Sequence, residues 1–156
     1  MKIRIIGGPG SGKSYLAEAL AKEYGIAHYD LDDLQWKNEL GSYAQRREPE
    51  ERARRLEEIL AKDDWIMEGV YYGWCPESFR DADRIYLLRV PRRVYRRRIL
   101  RRFFRRHLGL EGGMKESIPA LRRLLRWADT FDTTYIHEVE ALLEPYRDKV
   151  IRKVTE

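Results

Sequence analysis

Short apolar runs separated by stretches of helical periodicity set the pattern of this chain. Lys2-Ile3-Arg4-Ile5-Ile6 reads as a short β-branched strand, and Tyr15-Leu16-Ala17-Glu18-Ala19-Leu20-Ala21 as a helix that Gly25 closes. Ile26-Ala27-His28-Tyr29 makes a second strand ending in the acids Asp30, Asp32 and Asp33. After a loop around 41–48, Pro49 opens a charged helix reaching about Ala61, with Ala53, Leu56, Ile59 and Leu60 on its apolar side. Trp65-Ile66-Met67, ending at Glu68-Gly69, is the third strand, and residues 84–90 are the fourth. Pro91 then starts an arginine-rich helix, and Gly109, Gly112 and Gly113 interrupt the pattern. Two further helices are expected over 115–127 and 129–143, before a fifth strand over 150–154. Strands and helices alternate, which predicts an α/β fold: a five-stranded parallel sheet covered by helices on both faces, with function at the carboxyl ends of the strands.

Composition narrows the class. The chain of 156 residues has the size of one domain, with no room for a large second one. Hydrophobic residues make up 43%, and no apolar run approaches the roughly 18 residues of a membrane span. The first strand meets the glycine-rich segment without a signal-like stretch, so the expectation is a soluble cytoplasmic protein with no membrane partner. Cys75 is alone and can form no internal disulfide, which fits a reducing compartment. The net charge of +5 suggests an anionic ligand, and one element carries the excess: ten arginines and no lysine fall within 89–106.

Between the first strand and first helix stands Gly7-Gly8-Pro9-Gly10-Ser11-Gly12-Lys13-Ser14, which fits G-x-x-x-x-G-K-[ST] in the strand, loop, helix setting where that pattern binds phosphate. Glycines let the backbone wrap a polyphosphate with N–H groups inward, and the helix N-terminus favours its charge. Lys13 is expected to reach the β/γ-phosphates and the Ser14 hydroxyl to ligate Mg²⁺. The reading is a site for ATP and Mg²⁺.

Acids fall where such a site needs them. Asp32 follows the second strand and Glu68 ends the third, so both are expected across the crevice from the loop, holding Mg²⁺ through water or orienting the acceptor. The alternatives are a helix cap at Asp30, Asp32 or Asp33 and a solvated strand end at Glu68. In the arginine-rich helix, Tyr95, Ile99 and Phe103 form an apolar face widened by Val94, Leu100 and Phe104. Arg98 and Arg102, four apart, share one side and can stack on a purine or fork onto phosphate. A basic amphipathic helix can also lie along a nucleic-acid backbone or an acidic membrane surface. Trp36, Tyr71, Tyr72 and Trp74 either stack an acceptor's base or sugar or pack beneath the loops.

The loop, Leu31-Asp32-x-Leu34-x-Trp36, Trp65-Ile66-Met67-Glu68-Gly69-x-Tyr71 and Leu88-x-Val90-Pro91-Arg92, in that order, resemble the adenylate-kinase-like P-loop proteins of the DNA topology modulation (FlaR-related) family, over nearly the whole chain. The resemblance implies a nucleoside-monophosphate-kinase-like fold with strand order 2-3-1-4-5 and a short helical lid within about 91–113. Gly10 to Ser14 with Tyr15 would contact the ATP phosphates, Asp32 and Glu68 would line the acceptor side, and Arg98 and Arg102 would be lid arginines. Glu68-Gly69-Val70-Tyr71-Tyr72 departs from the Asp-Gly-x-Pro-Arg segment of true adenylate kinases, and the large lid domain is missing, which argues against adenylate kinase activity proper. The function expected is transfer of the γ-phosphoryl group of ATP to a nucleotide or small-molecule acceptor. The alternative is an ATP-dependent nucleic-acid-binding protein affecting DNA topology.

Overall fold

A computed structural model describes residues 1–37, 45–113 and 115–154. β1 (Lys2–Gly7) runs through the middle of a parallel sheet, between β3 (Trp65–Gly69) and β4 (Arg84–Arg89), with β2 (His28–Asp30) and β5 (Val150–Val154) at the edges. The order is β2-β3-β1-β4-β5, as the resemblance implied.

Strand alternation separates two apolar layers. Ile3 and Ile5 of β1, with Ile66, Tyr86 and Leu88, face α1 (Lys13–Tyr24) through Ala17 and Leu20. On the opposite face Ile6, Trp65, Met67, Ile85 and Leu87 pack with Phe79 of α4 (Pro76–Arg80) and with Ile136, Val139 and Leu143 of α7 (Ile136–Leu143). α2 (Leu31–Gln35) and α3 (Pro49–Leu60) join this layer through Leu31, Leu34, Leu56 and Ile59. α5 (Arg92–His107) and α6 (Ile118–Thr130) form a third cluster in which Val94, Tyr95, Ile99 and Phe103 meet Leu121 and Ala128.

Several sequence expectations need correction. α1 starts at Lys13, inside the motif, because Gly12 caps it. The second strand is His28–Asp30 and the third continues to Gly69, so Asp30 and Glu68 are in the ladder, whereas Asp32 and Asp33 follow β2 in α2. Ala53 and Phe104 are exposed, so both apolar faces are narrower than their sequence pattern. α4 was not expected, its five residues being too few for a periodic signal. The helices expected over 115–127 and 129–143 have no break between them. α6 begins at Ile118, where Ser117 accepts the amide of Ala120 and Pro119 occupies the first turn, and it continues through a π-helical turn (Phe131–Tyr135) into α7. The expected loop around 41–48 lies partly outside the described residues.

Candidate functional site

The phosphate loop is shaped by two glycines. Gly10 (φ +74°) and Gly12 (φ +95°) occupy the left-handed region, the conformation that lets successive amides of such a loop line an anion-binding concavity. A Cβ at Gly10 would also lie 2.9 Å from the carbonyl oxygen of Tyr95, so the loop is seated directly on α5. On its other side, Gly8 packs against Phe131 so closely that a Cβ there would come within 2.9 Å of the ring. Gly8 and Ser11 line a hollow of about 20 Å³ behind the loop, with the Ser11 hydroxyl buried.

Lys13 and Ser14 open α1 and face the acids. Lys13 Nζ donates to the Gly8 carbonyl at 3.0 Å. Burial lowers its pKa, opposed by the carboxylates of Glu68, Asp32 and Asp30. The Ser14 hydroxyl donates to Glu68 Oε1 at 2.5 Å, tying the first turn of α1 to the end of β3. Glu68 is only 2% exposed, which excludes the solvated strand end.

Parallel pairing brings the other acids alongside. Asp30 is the register partner of Glu68. Asp30 is also the cap of α2, its Oδ1 accepting the Asp32 amide at 2.8 Å. Burial first, then Glu68 and Asp32, push its carboxyl up to about 7. Since Asp30 caps, Asp32 does not have to. Asp32 Oδ1 accepts the Tyr71 hydroxyl at 2.6 Å, and that hydroxyl accepts Trp36 Nε1 at 3.1 Å. Burial and Asp32 hold the Tyr71 phenol well above its ordinary pKa, so it stays a proton-bearing donor. Tyr72 and Trp74 point elsewhere: Tyr72 donates to Glu138, and Trp74 lies under the Arg52 guanidinium at 4.5 Å.

Sequence reasoning missed Arg4. It is fully buried beneath the site, donating to the Tyr71 carbonyl at 2.6 Å, the Gly69 carbonyl at 3.5 Å and Ser78 Oγ at 3.2 Å, with its guanidinium 4.8 Å from the Phe79 ring. It therefore fixes the turn after β3 that carries Tyr71. The signal was available: an arginine at an inward position of a strand covered on both faces needs buried acceptors.

The arginine helix supplies the opposite wall. Arg98 Nη1 donates to the carbonyls of Gly10 at 3.3 Å and Ser11 at 3.2 Å, gripping the loop, while half-buried Arg102 lines the cleft. Arg92 and Arg96 both pair with Asp129 at 2.7 Å, Arg105 with Glu111 at 3.3 Å, and Arg106 with Glu116 at 3.5 Å. Lys13, Ser14, Tyr15, Asp32, Glu68, Arg98 and Arg102 thus border one cleft of about 990 Å³, with Tyr15 80% exposed at its mouth. Gly7, ending β1, supports the loop from below.

The oxygen donors of Ser14, Glu68 and Asp32 suit magnesium, a hard cation held by one or two carboxylates together with substrate phosphates. Among the described residues no group of three or more His, Cys, Asp or Glu is arranged to hold a metal ion, so a cage made by protein alone is not built here. No helix among them is long and apolar enough to cross a membrane.

Comparison with known proteins agrees with this geometry. Uncharacterized protein YqaC of Bacillus subtilis (strain 168) is 32% identical over 133 residues, which cover 83% of this chain and 72% of that protein. The crystal structure of a gluconokinase from Sinorhizobium meliloti 1021 aligns with a TM-score of 0.54 at 18% identity, over 98% of this chain and 81% of that one. At that identity the likeness is one of fold: a P-loop NTPase of the kinase type. Residues 3–110 match the AAA domain family, a span that takes in the loop, both acid-bearing strand ends and the arginine helix, and the chain belongs to that family.

Proposed function

We propose that the protein is an ATP-dependent phosphotransferase of the nucleotide or small-molecule kinase type, moving the γ-phosphoryl group to an acceptor held beside Asp32. The observation that carries this reading is the bond from Ser14 to Glu68, which joins the phosphate loop to the acid wall of one cleft. The kinase-type fold supports it. The loop amides and Lys13 hold the triphosphate, and Arg98 and Arg102, in a lid segment of about 91–113, balance charge that develops on the transferring group. Ser14 with Glu68 or Asp32 would hold Mg²⁺, which when bound neutralises phosphate charge. Asp32, fixed by Tyr71, orients the acceptor, and closure over the cleft excludes water. The whole chain acts as one domain, and its dependence on ATP suits the cytoplasm.

A second reading has one observation in its favour. Arg93, Arg97 and Arg101 are exposed, four apart, and without partners among the described residues, an arrangement that suits a nucleic-acid backbone and the narrower resemblance to DNA topology modulation proteins. Against it, Arg92, Arg96, Arg105 and Arg106 are already engaged by acids. A lysine scan separates the two. Arg98→Lys and Arg102→Lys are expected to lower acceptor-stimulated ADP release, because an ammonium cannot present a planar fork, whereas Arg93→Lys and Arg97→Lys should leave it unchanged. If ADP release is insensitive at all four positions while Arg→Ala at each weakens oligonucleotide binding equally and flattens its salt slope, the second reading stands instead.

A further inference from the structure

We propose that Trp127 is a specificity-determining residue on the acceptor side of the cleft, where its indole takes the apolar face of a ring, so that cyclic acceptors are selected over open-chain ones. This rests on the phosphotransferase reading and adds the shape of the acceptor to it.

α6 carries two apolar rows side by side. Leu121, Leu125 and Ala128 pack against α5. Ala120, Leu124 and Trp127, at the i, i+4, i+7 spacing of one helical face, line the cleft instead, over about 10 Å of helix. Packing explains the first row. It does not explain the second, because Trp127, the largest side chain of the helix, is left 39% exposed. The indole is nevertheless held in place. Its ring lies 5.1 Å from that of Tyr135 and 6.3 Å from that of Phe131, both in the π-helical turn that follows.

These two supports locate the indole along the cleft. Phe131 packs on Gly8, near the start of the phosphate loop, and Tyr135 lies 6.5 Å from the ring of Tyr72, in the turn after β3 that also carries Tyr71. The other end of α6 is tied to the arginine helix by the pair of Arg106 and Glu116. In the phosphotransferase reading Lys13, Tyr15, Arg98 and Arg102 serve the nucleotide, which leaves the Trp127 end to the acceptor beside Asp32.

The chemistry of the row favours a ring. From Ala120 to Trp127 the side chains lining the cleft offer one hydrogen-bonding group, the indole N–H, and it has no partner among the described residues. An extended polyol laid along this row would turn hydroxyl groups toward methyl and ring carbons, losing their water without replacement. A ring presents its C–H or π face to the indole and keeps its polar atoms at the rim. A sugar and a nucleoside share that face.

The test follows ADP release and phosphorylated product, with ATP and Mg²⁺, for glucose against sorbitol, ribose against ribitol, and adenosine. The cyclic member of each pair should exceed its open-chain partner in kcat/KM by about tenfold or more, the scale of one ring stacked on an aromatic side chain. Whether glucose, ribose or adenosine leads tells whether a sugar or a nucleoside supplies the ring. With that acceptor, Trp127→Ala should raise the acceptor KM by about tenfold and leave kcat and the KM for ATP near those of the wild type, while Trp127→Phe restores most of the loss. Trp127→Leu, which fills more of the volume without a ring, is read in the same way if circular dichroism shows the alanine variant unfolded. Equal or better transfer to sorbitol or ribitol would overturn the proposal and leave the phosphotransferase reading standing. So would an acceptor KM unmoved by loss of the ring, or a rise in the KM for ATP in its place. Absence of transfer to every member by a protein that binds ATP would also overturn it, with triphosphate binding intact. Failure of the wild type to bind ATP would remove the phosphotransferase reading itself.

Discussion

Asp32→Asn is expected to slow phosphoryl transfer by about 10²- to 10⁴-fold, the contribution of a positioned general base, while leaving ATP affinity close to that of the wild type. The amide keeps the shape of the carboxylate and can still accept from the Tyr71 hydroxyl, so the turn after β3 should hold. What it loses is the charge that takes a proton from the acceptor. Glu68→Gln should act differently, since it retains an oxygen for Ser14 but weakens the oxygen set for magnesium. Its turnover should fall with a higher magnesium requirement. Steady-state ADP release at several magnesium concentrations, beside an ATP titration, separates the two variants. Wild-type turnover in Asp32→Asn would reduce that residue to an element of α2.

Arg4→Leu should be the most destabilising single change near the site. The leucine fills part of the volume but leaves the carbonyls of Gly69 and Tyr71 without their donor, each unsatisfied acceptor costing about 1–3 kcal/mol, for a total of about 2–6 kcal/mol. The consequence for function follows from position. Arg4 reaches the cleft through Tyr71 and touches no substrate, so at temperatures where the variant remains folded, Tyr71 and with it Asp32 should be poorly fixed and the acceptor KM should rise. Urea unfolding measures the first effect. A loss below about 1 kcal/mol would mean that water or neighbouring donors replace the guanidinium.

The parts of this molecule legible in its sequence are those encoded by local pattern. The phosphate loop is one continuous segment with fixed spacing, and the strands alternate with helices at short range, so the sheet and the place of Lys13 and Ser14 could be read directly. Asp32 and Glu68 could be placed on one crevice because parallel sheets put their chemistry at strand ends. What local pattern does not hold is which acid does which task. Asp30 rather than Asp32 caps α2, a matter of one side-chain rotamer. The alternation of β1 marks Arg4 as inward-facing, but it does not show which groups receive it, because the carbonyls of Gly69 and Tyr71 lie more than sixty residues away and leave no trace in side-chain identity. Nor did charge counting show that Asp129 engages two arginines of α5 while Arg98 turns to the loop, since the first follows from how α6 packs on α5 and the second from the seat of the loop on α5.

The most direct test of the central claim is calorimetric titration of Mg²⁺ and ATP into the wild-type protein and into Lys13→Ala, with circular dichroism recorded on both. Lys13 packs no core and among the described residues bonds only to the Gly8 carbonyl, so the variant should keep the wild-type spectrum. Loss of a charge-assisted contact of about 1.5–3 kcal/mol should weaken ATP binding by about tenfold or more. Unchanged affinity in a folded Lys13→Ala protein, or no ATP binding by the wild type, would contradict the account.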